Sequence, residues 1–186
     1  MPQLLIVIAS TRPGRVGLPV GQWMAQTAEE HGGFEVRVAD LQEINLPFMD
    51  EPHHPRLGQY TKDHTKRWSR IVNDADAFVF VMPEYNYTMT APLKNALDYL
   101  VREWQYKPVG LVSYGGISAG LRAAQMVKQV VTTLKMMPLP EGVAIPFVSQ
   151  HIVDGRFSPP DIVKESAQIM LDELAKWESA LRLLRQ

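Results

Sequence analysis

The chain has 186 residues, 46% hydrophobic and 21% charged, with a formal charge of -1 and a pI near 6.5. That balance argues against a basic face for nucleic acid, and no apolar run is long enough to span a bilayer as a helix. The absence of cysteine excludes disulfides, thiolate metal sites and cysteine catalysis, and suits a cytoplasmic protein.

The opening Met1-Pro2-Gln3-Leu4 lacks a charged stretch leading into a long apolar run, so no signal peptide is expected. Leu4 to Ala9 is continuously apolar and β-branched, the pattern of a buried strand, and it runs into the loop Ser10-Thr11-Arg12-Pro13-Gly14. Val20, Trp23, Met24 and Ala28 recur at helical spacing, which predicts a helix from about Val16 to His31, stopped by Gly32-Gly33. Phe34 to Ala39 alternates apolar and polar residues, as a half-buried strand at or near a sheet edge would. Residues 41 to 58, with Pro47, Pro52, Pro55 and the pair His53-His54, read as a long loop. A helix is expected from about Tyr60 to Asn73, then a wholly apolar strand, Ala77 to Met82, that ends in Pro83-Glu84-Tyr85-Asn86. A helix from about Ala91 to Glu103 tolerates Pro92 in its first turn. Pro108 to Ser113 is the next apolar strand, followed by Tyr114-Gly115-Gly116 and a helix from about Ser118 to Met136. Gly142 to Val148 is the last strand, and a polar loop and a helix from about Asp161 to Leu183 follow.

Five strands alternating with five helices specify a parallel sheet covered on both faces, because each parallel crossover needs a helix. Five strands favour the flavodoxin-like order 2-1-3-4-5 over the six-stranded dinucleotide order. With no repeat or linker, residues 1–186 read as one three-layer αβα domain. In such sheets ligands sit beyond the carboxyl ends of the strands, where the strand order reverses. Three loops therefore become the candidate site: Ser10 to Gly17, Pro83 to Thr90 and Ser113 to Gly120.

The first loop carries Ser10, Thr11, Arg12 and Arg15 and opens a helix near Val16 and Gly17. Hydroxyls, guanidinium groups and the free N–H groups of a helix start suit a phosphate. The loop lacks the lysine and spacing of a nucleoside-triphosphate loop and the G-x-G-x-x-G of a dinucleotide fold, so a monophosphate such as that of FMN fits it best. The second loop offers the faces of Tyr85 and Tyr87, an amide in Asn86 and a carboxylate in Glu84, a lining for a flat heteroaromatic ring. The third, Ser113-Tyr114-Gly115-Gly116, lets backbone approach a ligand. Taken singly, each loop is also what a solvated turn contains.

Together, Ser10-Thr11-Arg12-Pro13-Gly14-Arg15, Pro83-Glu84-Tyr85-Asn86 with Leu93-Lys94-Asn95-Ala96-Leu97-Asp98, and Gly115-Gly116 with Gly120-Leu121-Arg122-Ala123 resemble the NADPH-dependent FMN reductase family over residues 4 to 125. That group includes azoreductase-like and quinone- or chromate-reducing flavoproteins. The resemblance implies that Ser10, Arg12 and the backbone of Arg15 to Gly17 hold the FMN phosphate. It implies that Pro83, Glu84, Tyr85 and Asn86 line the isoalloxazine, and that Ser113, Tyr114, Gly115 and Gly116 close the other side. Some members have Ser and Asn at the positions of Arg15 and Gly17, and many have a small residue in place of Tyr87. A hydride would pass from NADPH or NADH to flavin N5, and an acceptor (a quinone, an azo compound, free flavin or a metal oxyanion) would then take the electrons. No acid–base triad is called for. A homodimer or homotetramer with the flavin near the interface is a further implication. Arg12 and Arg15 are also candidates for the extra phosphate of NADPH.

Two other readings compete: a flavodoxin-like electron carrier, usually far more acidic than this chain, and a flavin-free binding domain. His53, His54 and His64 lack metal-ligand spacing, so no metal site is expected. Asp98 reads as a surface charge, and Trp23, Trp68, Trp104 and Trp177 as packing or interface residues.

Overall fold

The computed structural model describes residues 1–185. Its strands are β1 (Gln3–Ile8), β2 (Glu35–Asp40), β3 (Ala77–Pro83), β4 (Pro108–Tyr114), β5 (Met137–Ile145), β6 (Ile152–Val153) and β7 (Arg156–Phe157). Its helices are α1 (Gly17–His31), α2 (Leu41–Ile44), α3 (Asp63–Asn73), α4 (Ala91–Asp98), α5 (Leu121–Thr133) and α6 (Asp161–Leu181). The first five strands form one parallel sheet in the order β2-β1-β3-β4-β5, the flavodoxin-like order expected, with β2 at an edge.

Strand alternation divides the apolar side chains between two layers. From β3, Phe78, Phe80 and Met82 enter a layer with Leu93, Trp104 and Val127, under α3, α4 and α5. Ala77, Val79 and Val81 enter the opposite layer with Met24, Ala28, Met170 and Leu174, under α1 and α6. Trp68 and Trp104 are fully buried, their ring centroids 6.0 Å apart, and each donates its Nε1–H to a carbonyl of α4, Ala96 and Leu97 respectively. Trp23 packs edge-on against Phe157 and is partly exposed.

Several boundaries differ from the sequence reading. The expected loop 41–58 begins with the one-turn helix α2, whose N-cap Asp40 accepts from Gln42 N–H and which ends at Asn45 in the left-handed region. The helix expected to Glu103 ends at Asp98, and a separate 3-10 turn covers Arg102–Trp104. Helix α5 starts three residues later than expected because Gly120, at φ +77°, cannot be helical. A Cβ there would also lie 2.7 Å from Tyr114 N. Strand β5 starts at Met137, five residues earlier than expected, and the polar stretch after it folds into the β6–β7 hairpin.

Candidate functional site

The carboxyl ends of β1, β3 and β4 are tied together before any ligand is considered. Ala9 N donates to Val81 O, and Thr90, the N-cap of α4, donates its hydroxyl to Ala9 O at 2.8 Å. Glu84 N donates to Tyr114 O, and Ser113 Oγ donates to Ala119 O at 2.9 Å. These bonds fix three loops around a cleft of about 370 Å³.

Ten of the fourteen residues proposed from sequence line that cleft: Ser10, Arg12, Arg15, Val16, Pro83, Glu84, Tyr85, Tyr114, Gly115 and Gly116. Four do not. Thr11 lines a separate cavity of about 560 Å³ between α2 and α4. Gly17 is buried beneath the loop, Asn86 sits in a turn, and the Ser113 hydroxyl is engaged with Ala119. The sequence reading missed Phe147, Val148, Ser149 and Gln150, which form the remaining wall. The signal was topological: β5 neighbours β4, so its following loop must border the same crevice. That loop is hooked on by Phe147 N–H to Gly116 O and Val148 N–H to Gly115 O, with Phe147 at φ 46°.

At the α1 end, Ser10 Oγ and Tyr114 OH are buried and make no hydrogen bond among the described residues. Both surround Gly17: a Cβ there would fall 2.2 Å from Ser10 Oγ and 2.3 Å from Tyr114 OH. Glycine leaves room for the two hydroxyls beside the first turn of α1, whose N–H groups have no intrahelical acceptor. Burial pushes the Tyr114 phenol up to about 12 against the opposing influence of the neighbouring Ser10 hydroxyl, so it is protonated and able to donate at neutral pH. Two unpartnered buried hydroxyls are costly unless something fills them, and an anion at a helix start does so.

The two arginines of the loop have different fates. The Arg12 side chain is exposed and makes no ion pair among the described residues. Arg15, which also lines the cleft, has its guanidinium engaged within the protein. It pairs with Asp40 through two 2.5 Å bonds and donates to Ser10 O at 2.6 Å. The Asp40 bond, working against burial, raises the Arg15 pKa further.

In the second loop, Tyr85 and Thr88 exchange backbone hydrogen bonds across Asn86 and Tyr87, both at positive φ, as in a type I′ turn. Burial would raise the Glu84 carboxyl, but bonds from the Arg122 side chain and backbone hold it below its ordinary value. Arg122 also stacks on the Tyr87 ring, 3.9 Å from its centroid. Glu84 is thus a latch between the loop and α5, not a free base.

The histidines lie elsewhere: His54 Nδ1 accepts from Arg56 N–H, and His64 pairs with Asp50. Asp98 pairs with Lys94 on the surface. Among the described residues, no helix is long and apolar enough to cross a membrane.

The NADPH-dependent FMN reductase family matches residues 2–150. An NAD(P)H-dependent FMN reductase of Schizosaccharomyces pombe is 38% identical over 85% of this chain and 80% of its own length. One from a Nectria species is 32% identical over 99% of this chain and 94% of its own. Among solved structures, a flavoenzyme NAD(P)H:(acceptor) oxidoreductase from Paracoccus denitrificans superposes with a TM-score of 0.77 at 17% identity, covering 97% of this chain and 98% of the other. A flavodoxin from the Archaea gives 0.61 at 13% identity, covering 96% and 99%.

Proposed function

Because the chain belongs to the NADPH-dependent FMN reductase family and is an NAD(P)H-dependent oxidoreductase related to quinone and azo reductases, we propose that it works on FMN held in the cleft among the three loops. The observation that carries this is the pair of unpartnered buried hydroxyls, Ser10 Oγ and Tyr114 OH, at the first turn of α1. They fit a phosphate monoester. The chemistry supplied by FMN is two-electron transfer, hydride in from NADPH or NADH and electrons out to a quinone, an azo compound or a free flavin.

The chain's own residues bind and orient. Ser10 Oγ, Tyr114 OH and the N–H groups at the start of α1 hold the phosphate, and Arg12 adds the long-range attraction. Val16 packs beside them. Pro83, Glu84 and Gly115 offer backbone to the ring edge. Gly116, where a Cβ would meet nothing within 4 Å, leaves the cradle open for the ring. Tyr85 and Phe147 wall it, and Ser149 and Gln150 narrow the water path. No side chain need take a proton for the hydride chemistry that FMN would supply; the lining residues would serve to bind and orient it.

A cytoplasmic setting belongs to this reading and suits a chain without cysteine. So do small-molecule acceptors and action of residues 1–186 as one domain. A homodimer or homotetramer is included too, since exposed apolar groups such as Tyr87, Ile117 and Phe147 lie on the loops around the cleft. The flavodoxin-like carrier alternative has only the shared fold in its favour.

The test is a visible spectrum of the protein loaded with FMN under anaerobic conditions. Adding NADPH should bleach the flavin absorption band within the turnover time. A yellow protein that neither NADPH nor NADH bleaches would be a carrier, and one that takes up no FMN would remove the reading. Arg12→Ala should weaken FMN binding and flatten its salt dependence. Wild-type affinity in that variant would end the role given to Arg12.

A further inference from the structure

We propose that Asp40 is a positioning residue for the phosphate end of the cleft, holding Arg15 as an internal strut of the loop and not as an anion ligand. The inference rests on the FMN reading above. Asp40 ends the edge strand β2, opposite Ile8 of β1, and so stands beside the loop that leaves β1. Its Oδ1 accepts from Arg15 Nη1 at 2.5 Å and from Gln42 N–H at 3.0 Å, and its Oδ2 accepts from Arg15 Nη2 at 2.5 Å. The same Nη1 donates to Ser10 O at 2.6 Å. Arg15 N–H closes the turn by donating to Arg12 O at 3.1 Å.

The chain of cause runs from Asp40 through the Arg15 guanidinium to the main chain of Ser10, and hence to Ser10 Oγ. Only the last of these faces the ligand with an unsatisfied group. The Arg15 and Asp40 side chains are 9% and 14% exposed, so the pair is weakly screened and its planar two-bond geometry is specific to arginine. The pair is also neutral as a unit. Attraction for an anion is therefore left to Arg12 and the start of α1, and the strut sets geometry while adding no net charge.

The strut should matter to FMN and not to riboflavin, which shares the ring but lacks the phosphate. The experiment titrates both flavins into the wild type, Asp40→Asn, Arg15→Met and the double variant, following quenching of flavin fluorescence. Asparagine can still cap α2, so Asp40→Asn removes the ion pair selectively. Each single variant should lower the preference for FMN over riboflavin about tenfold, equivalent to about 1.4 kcal/mol. Riboflavin affinity should hold, and the double variant should lose no more than either single one, as expected for two members of one interaction. Arg15→Lys should not rescue. The inference is overturned if Asp40→Asn binds FMN as tightly as the wild type or tighter, since a released Arg15 would then be a direct ligand. Equal loss of both flavins, the mark of general destabilisation, overturns it as well. Wild-type protein that binds both flavins equally would instead remove the phosphate assignment itself, and this inference with it.

Discussion

Tyr87 holds φ 71° in a turn that glycine would occupy more easily, and its ring lies under the Arg122 guanidinium. The backbone conformation costs about 1–2 kcal/mol for a residue with a Cβ, and an exposed cation–π contact returns about 0.5–1 kcal/mol. Tyr87→Gly removes both and adds the flexibility of glycine to the unfolded chain, about 0.5–1 kcal/mol. The terms nearly cancel, so Tyr87→Gly should leave the urea midpoint close to that of the wild type. Tyr87→Ala keeps the backbone cost and loses the stack, and should fall by about 0.5–1 kcal/mol. If glycine fell below alanine by about 0.5–1 kcal/mol, the full measure of its added unfolded-state freedom, the left-handed conformation would carry no cost here. Gly17 is the opposite case, where the absent Cβ is occupied space. Gly17→Ala would drive a methyl into Ser10 Oγ and Tyr114 OH. It should destabilise by about 1–3 kcal/mol and abolish FMN binding, as thermal melts and flavin titration would report. A variant with normal FMN affinity would show that the two hydroxyls do not face the ligand.

Among the elements, α3 shows how a loop residue can start a helix. Glu51, in the proline-rich stretch, accepts from Thr61 N–H and Oγ and from Lys62 N–H, just before the first turn. Burial pushes its carboxyl up, but these bonds outweigh it and hold the pKa down at about 2. A depressed native pKa gives stability that is present above the unfolded value near 4.5 and is lost as pH falls toward 2. The stability difference between the wild type and Glu51→Gln should therefore be largest at neutral pH and shrink through that window. A pH-independent difference would mean that the charge plays no part. This cap was not visible in the sequence, because a capping carboxylate twelve residues before its helix leaves no local pattern. The central strands were legible, since β1, β3 and β4 are buried on both faces and read as unbroken apolar runs. The start of β5 was hidden by Pro138 and Pro140, which argue against a strand until the strand is known to lie at an edge. The site followed the same division. Residues at the ends of legible strands were found, whereas Phe147 to Gln150 follow the strand whose limits were misread. The role of Arg15 depended on Asp40, twenty-five residues away, a pairing that only the parallel register of β1 with β2 brings about.

At the scale of the whole molecule, the sheet separates a binding end from a closing end. The carboxyl ends of the strands leave the Ser10 and Tyr114 hydroxyls unpartnered, while at the opposite end Lys107 and Arg185 are tied down. Lys107, at the start of β4, is buried and donates from Nζ to Val72 O and Asn73 O, the last carbonyls of α3. Arg185 bridges Tyr106 O, Asp76 and Glu178 beside it. Burial, assisted by the nearby charge of Arg185, lowers the Lys107 pKa from 10.5 to about 8, although Asp76, Glu103 and Asp74 pull the other way. Between those two values the unfolded chain binds a proton that the native protein does not, so this group makes stability rise with pH across the window. Below about 8 both states are charged and its cost is constant. Lys107→Met removes the titration, so the unfolding free energy of the wild type minus that of the variant should climb from pH 8 to pH 10.5 and be level on the acid side. A difference that is flat across the whole range would mean that the two carbonyls and the carboxylates hold Lys107 charged despite its burial. Because this end lies across the sheet from the cleft, the same variant should leave FMN affinity at the wild-type value.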